Sequence, residues 1–186
     1  MKVAIAQLNY TIGDFEGNSE KIIQQINRAK KDNAELVVFS ELSVTGYYPH
    51  DLLEKKEFIQ KAEETVLKIA ESCIGIAAIV GAPRINEGER GKQLYNSAFF
   101  LADRKIKSVH NKTLLPTYDI FDEYRHFEPN SEFEVVEFKG EKIAITICED
   151  LWDELPTANE FGRDKLYQTS PMEELYKFNP DFVVNL

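Results

Sequence analysis

The sequence predicts an α/β fold, and three observations carry that expectation. Short β-branched apolar runs alternate with stretches whose apolar residues recur at helical spacing, and the first three such segments are ordered β-α-β. Two later pairs of apolar runs are separated by tight turn residues and read as hairpins. Hydrophobic residues make up 43% of the 186 positions, enough for one globular domain, 1–186, with a substantial core.

Residues 2–8 read as a buried strand. Asn18 is placed to cap a helix whose stripe is Ile22, Ile26 and Ala29 and which ends at Asp32-Asn33. Leu36–Phe39 is the next buried strand, and a parallel pair with a right-handed crossover follows from that order. Thr45-Gly46-Tyr47-Tyr48-Pro49 is a turn-rich loop. Residues 51–72 read as a helix with Phe58, Ala62, Val66 and Ile69 on one side and Cys73 as packing at its end. Ile76–Val80 is a third strand, closed by Gly81-Ala82-Pro83, and 86–92 is a polar surface turn.

Leu94–Ala102 and Ile106–His110 form the first hairpin, turning at Asp103-Arg104. Residues 111–131 show no period yet hold aromatic and acidic residues, and a long loop in a compact domain is more often functional than incidental. Phe133–Phe138 and Lys142–Ile147 form the second hairpin. Residues 150–170 are polar and irregular, 171–177 open with proline as a short helix, and Phe182–Leu186 is a final apolar strand. Ending there, the chain reads as a truncated domain.

Charge and composition exclude several classes. A net charge of −10 argues against a general nucleic-acid or anionic-membrane surface, and no apolar run reaches membrane-spanning length. The two cysteines, Cys73 and Cys148, lack zinc spacing and fit a reduced, cytoplasmic protein. The acidic set Glu149, Asp150, Asp153 and Glu154 lacks the spacing of a metal site, so no metal is expected, and a solvated helix start is the simpler reading. Trp152 is expected to pack beneath the turn at Cys148.

Three strand ends each present one reactive side chain: Glu41 after Leu36–Phe39, Lys112 after Ile106–His110, and Cys148 after Lys142–Ile147. Ligand sites in helix-covered sheets gather beyond the carboxyl ends of strands. A carboxylate takes a thiol proton, a thiolate attacks a carbonyl, and an ammonium stabilises the oxyanion and lowers the thiol pKa. Each residue also has an ordinary reading, as a turn cap, a solvated lysine and a core thiol, and buried cysteine is usually inert. His50, His110 and His126 offer a Cys–His alternative.

Phe39-Ser-Glu41-Leu-Ser-Val-Thr-Gly46-Tyr-Tyr-Pro49, His110-Asn-Lys112-Thr-Leu-Leu-Pro116-Thr-Tyr118 and Ile147-Cys148-Glu149-Asp150-Leu-Trp152 resemble the three signature blocks of the nitrilase, or carbon–nitrogen hydrolase, superfamily, in its order. The similarity runs along the whole chain and is greatest to the glutaminase domains of glutamine-dependent NAD synthetases.

That resemblance implies a four-layer α-β-β-α sandwich, incomplete at its C-terminus. It implies Glu41 as general base, Lys112 as oxyanion stabiliser and Cys148 as the nucleophile that forms a γ-glutamyl thioester. Tyr118, Glu123 and Glu149 are implied as substrate-binding residues, with the Glu149 N–H as a second oxyanion donor. The substrate would be glutamine, with no cofactor for this step. ATP and magnesium belong to a synthetase domain expected as the partner in a longer protein, and a homo-oligomer is expected. An ω-amidase, a carbamoyl amidohydrolase and a non-catalytic assembly domain are the alternatives.

Overall fold

A computed structural model describes residues 1–152 and 167–186. Strand β1 (Val3–Ile5), helix α1 (Phe15–Lys31) and strand β2 (Leu36–Val38) form the opening unit, with β1 and β2 parallel. Helix α2 (Lys56–Ala70) leads to β3 (Ala77–Ile85), parallel to β2, and β4 (Leu94–Ala102) and β5 (Lys105–Asn111) complete sheet A as antiparallel neighbours. A short helix, α3 (Glu123–His126), lies in the loop that follows. Sheet B contains β6 (Val136–Phe138), β7 (Glu141–Thr146) and β8 (Phe182–Asn185), with α4 (Pro171–Tyr176) in the crossover between the parallel strands β7 and β8.

Side-chain alternation along the strands of sheet A produces the layering. Val37, Ala78, Val80, Phe99 and Leu101 meet Ile22, Ile26, Val66 and Ile69 of α1 and α2. The opposite faces, through Leu36, Val38, Ile79, Ala98 and Phe100, meet Ile143, Ile145, Ile147 and Val184 of sheet B. The order is therefore helices, sheet, sheet, and then α4, whose Pro171 and Leu175 are buried. Cys73 is buried packing, as expected.

Several local expectations are corrected. Strand β1 is only three residues long and lies at the sheet edge, leaving Ile5 79% exposed. Asp14, rather than Asn18, caps α1, accepting the Gly17 N–H at 2.9 Å. Asn18 is buried one turn inside the helix, where its amide donates to the Thr11 and Val44 carbonyls and so ties the N-terminal loop to the turn after Glu41. The expected helix over 51–72 is two pieces, a 3₁₀ turn His50–Glu54 and α2, separated by extended Lys55. Strand β3 runs on through Pro83 because β2 ends opposite Ile79; past that point β3 has lost one neighbour, and an edge tolerates proline. The Leu94–Ala102 hairpin turns at Asp103-Arg104 as expected, both residues having positive φ.

Candidate active site

Glu41 is delivered by β2 into a turn that lies directly on β3. At Gly81 a Cβ would come within 2.3 Å of the Leu42 nitrogen, so this approach requires glycine. The Gly81 N–H donates to Ser43 Oγ and its carbonyl accepts the Val44 N–H, fixing the turn from both sides.

Lys112 leaves the end of β5 and is wholly buried. Its ammonium donates to Glu41 Oε1 and to Glu123 Oε2, each at 2.7 Å. Burial alone would lower its pKa, but Glu41, Glu123 and Cys148 outweigh that and hold it raised, so the amine is charged. Glu123, also fully buried, is pushed up by desolvation and by Glu41 against the opposing pull of Lys112. Tyr47 donates to the other Glu123 oxygen at 2.8 Å. Two carboxylates thus share one ammonium, which prevents them from facing each other unpaired.

Cys148 lies just past β7 and opens a 3₁₀ turn, Cys148–Leu151, with φ of 45°. Its N–H donates to the Leu186 carbonyl at 3.0 Å. Burial first, and then Glu41, push the thiol up to about 12, with Lys112 pulling the other way. Lys112 pulls the thiol down as expected, but burial and Glu41 outweigh it. Glu41 and Lys112 meet in a 2.7 Å ion pair, and the N–H groups of Thr113 and Leu114, just after Lys112, donate to Asp150 in the turn that opens at Cys148, so hydrogen bonds tie all three strand ends together.

Glu149 and Asp150 are buried, not the solvated helix start expected. The Glu149 carboxylate accepts hydroxyl hydrogen bonds from Tyr118 at 2.8 Å and Tyr167 at 2.9 Å. Burial and this bond push the Tyr118 phenol up to about 12. Asp150 accepts the N–H groups of Thr113 and Leu114 on one oxygen and of Ile147 on the other, locking the segment after Lys112 to the one before Cys148. Burial raises its pKa to about 7 against those three donors. Trp152 is 53% exposed and does not pack beneath the turn. Asp153 and Glu154 lie outside the described residues. His110 bonds Ser108 and is held neutral, with burial lowering its pKa to about 4. Among the described hydrogen bonds none joins His50, His110 or His126 to Cys148.

No local pattern in the sequence assigns Asn96, Tyr47 or Tyr167 to the site. Asn96 carried the clearest signal, as an amide within the apolar run Leu94–Ala102.

Residues 2–159 match the carbon–nitrogen hydrolase family. The chain belongs to that family. As a carbon–nitrogen hydrolase it is 39% identical to a glutamine-dependent NAD(+) synthetase from Synechocystis sp. over 99% of this chain and 33% of the relative. It is 37% identical to a synthetase of the same name from Thermotoga maritima over 82% of this chain and 26% of the relative. It therefore spans a third or less of the length of these curated relatives. Among solved structures, glutamine-dependent NAD+ synthetase from Acinetobacter baumannii superposes with a TM-score of 0.83 at 33% identity, over 99% of this chain and 31% of that one. An amidase from Nesterenkonia sp. AN1 shares the fold, with a TM-score of 0.75 at 20% identity over all of this chain and 64% of that one. No helix among the described residues is long and apolar enough to cross a membrane.

Proposed function

We propose that this carbon–nitrogen hydrolase cleaves the side-chain amide of glutamine to glutamate and ammonia. The observation that carries the proposal is the buried Lys112 ammonium held at 2.7 Å by both Glu41 and Glu123, with the turn that bears Cys148 tied to the segment after Lys112 through Asp150. In the proposed sequence Glu41 takes the Cys148 proton as the sulfur attacks the amide carbon. Lys112 has three N–H donors and uses two on the carboxylates, leaving one for the oxyanion, with the Glu149 N–H as a second donor. Collapse breaks the C–N bond, and the proton from Glu41 leaves with ammonia. Water, deprotonated by Glu41, then attacks the thioester, releasing glutamate and returning the proton to sulfur.

The Glu149 carboxylate, ringed by tyrosine hydroxyls, is the proposed seat of the substrate's α-ammonium, with Tyr118 holding it in place. Similarity to NAD synthetases supports an ammonia-consuming synthetase domain as the partner, with ATP and magnesium belonging there. A homo-oligomer is part of the same reading, and light scattering tests it; a monomer at all concentrations would count against it. For the activity itself, ammonia release from glutamine is measured beside a panel of ω-amides and carbamoyl compounds. Preference for glutamine is expected, with Cys148→Ala folded and inactive. Preference for another amide, or activity surviving in Cys148→Ala, rejects the proposal.

A further inference from the structure

We infer that Asn96 is a positioning residue for the general base: its amide fixes Glu41 through Oε1 and leaves Oε2 as the oxygen that receives the Cys148 proton. This rests on the reading of Glu41 as base given above. Asn96 lies on β4 opposite Pro83, on the face that Ala98 and Phe100 continue into the core between the sheets. Cys148 packs against that same core. The side chain is 1% exposed, and its Nδ2 donates to Glu41 Oε1 at 2.7 Å.

The Lys112 ammonium uses the same Glu41 oxygen, also at 2.7 Å. The Asn96 carbonyl accepts the Lys112 backbone N–H at 2.8 Å. One residue therefore holds both the carboxylate and the backbone of the lysine that pairs with it. Turning the amide over would set its oxygen against the carboxylate, so charge fixes its orientation.

That orientation leaves Asn96 Oδ1 buried without a hydrogen-bond partner among the described residues. An orphaned buried acceptor costs free energy that an aliphatic side chain at this strand position would avoid. Packing alone thus gives no reason for an amide here, whereas orienting Glu41 does. A neutral donor also orients a carboxylate with less loss of basicity than a second cation would cause.

The test follows the rate at which iodoacetamide alkylates Cys148, located by peptide mass spectrometry, across pH in the parent, Asn96→Ala, Asn96→Asp and Glu41→Gln. Circular dichroism reports the fold of each, and glutamine turnover supplies KM. Asn96→Ala is expected to slow alkylation by about 10- to 100-fold at neutral pH, with KM little changed, because the base loses its alignment. Asn96→Asp is nearly isosteric and sets a carboxylate beside Glu41, so the acid limb of the alkylation profile should move up by about one pH unit or more. A purely structural role would lower the melting temperature and leave the neutral-pH alkylation rate of folded Asn96→Ala at the parent's value. Parent-like alkylation in Asn96→Ala overturns the inference. So does a folded Asn96→Asp with an unmoved acid limb, which decides the matter if the alanine variant unfolds. If Glu41→Gln alkylates as fast as the parent, the reading of Glu41 itself has failed; if it is slow while both Asn96 variants match the parent, only the role of Asn96 has.

Discussion

Two carboxylate clusters make up the candidate site, and they are built differently. On one side Glu41 and Glu123 share the Lys112 ammonium at 2.7 Å each, so charge is compensated within the protein. On the other, Glu149 is buried to 5% exposure with tyrosine hydroxyls as its partners and no lysine or arginine in ion-pair distance among the described residues. A buried carboxylate without a cation is expensive unless something supplies one. The difference separates the roles proposed above: the first cluster holds charges in place for proton transfer, and the second, which no cation of the described residues compensates, is suited to receive a cationic substrate group.

Removing the shared cation should break the first cluster most severely. In Lys112→Met, Glu41 and Glu123 would face each other unpaired, at a cost of about 3–5 kcal/mol in urea unfolding together with loss of ammonia release. An unchanged unfolding midpoint would show that the cluster needs no internal compensation.

Glu41→Gln should lower Cys148 reactivity by about 10²- to 10⁴-fold at neutral pH while the chain stays folded. The pH dependence sharpens this. With the thiol pushed up to about 12, chiefly by burial, thiolate is scarce at neutral pH. In the parent Glu41 removes the proton within the step, so alkylation should be flat between roughly pH 6.5 and 9. In the variant the rate should climb about tenfold per pH unit as thiolate accumulates. Matching profiles would remove Glu41 as the base.

The second cluster should respond through binding. Glu149→Gln is expected to raise KM for glutamine by about 10- to 100-fold, the value of a hydrogen-bonded charge contact, and to leave a simple amide without an amino group unaffected. Equal losses on both substrates would contradict the division of roles. Tyr118→Phe removes one hydroxyl from Glu149 and should cost about three- to tenfold in KM with kcat nearly unchanged, read from the same steady-state curves.

What the sequence disclosed follows from how local each signal is. Strand ends bearing Glu41, Lys112 and Cys148 were legible because each follows an apolar run, and the Asp103-Arg104 turn because it separates two such runs. Family resemblance, rather than spacing, linked the three, since residues 71 and 107 positions apart from Glu41 meet only through sheet packing. Asn96 and Tyr47 escaped notice because their partners, Glu41 and Glu123, lie 55 and 76 positions away. Asp150 looked like a solvated acid because three backbone N–H groups leave no trace in a sequence. The net direction of the thiol pKa is hidden for a related reason: the pull of Lys112 is visible in the sequence, and the larger opposing effect of desolvation is not.

The most direct test of Cys148 as the nucleophile that attacks glutamine is covalent trapping with a glutamine-mimicking alkylator, followed by peptide mass spectrometry. The expected result is a single adduct on Cys148, protected by glutamine and formed far more slowly in Glu41→Gln at neutral pH, with buried Cys73 unmodified. A folded protein with no adduct on Cys148, or with the adduct on Cys73, would contradict it.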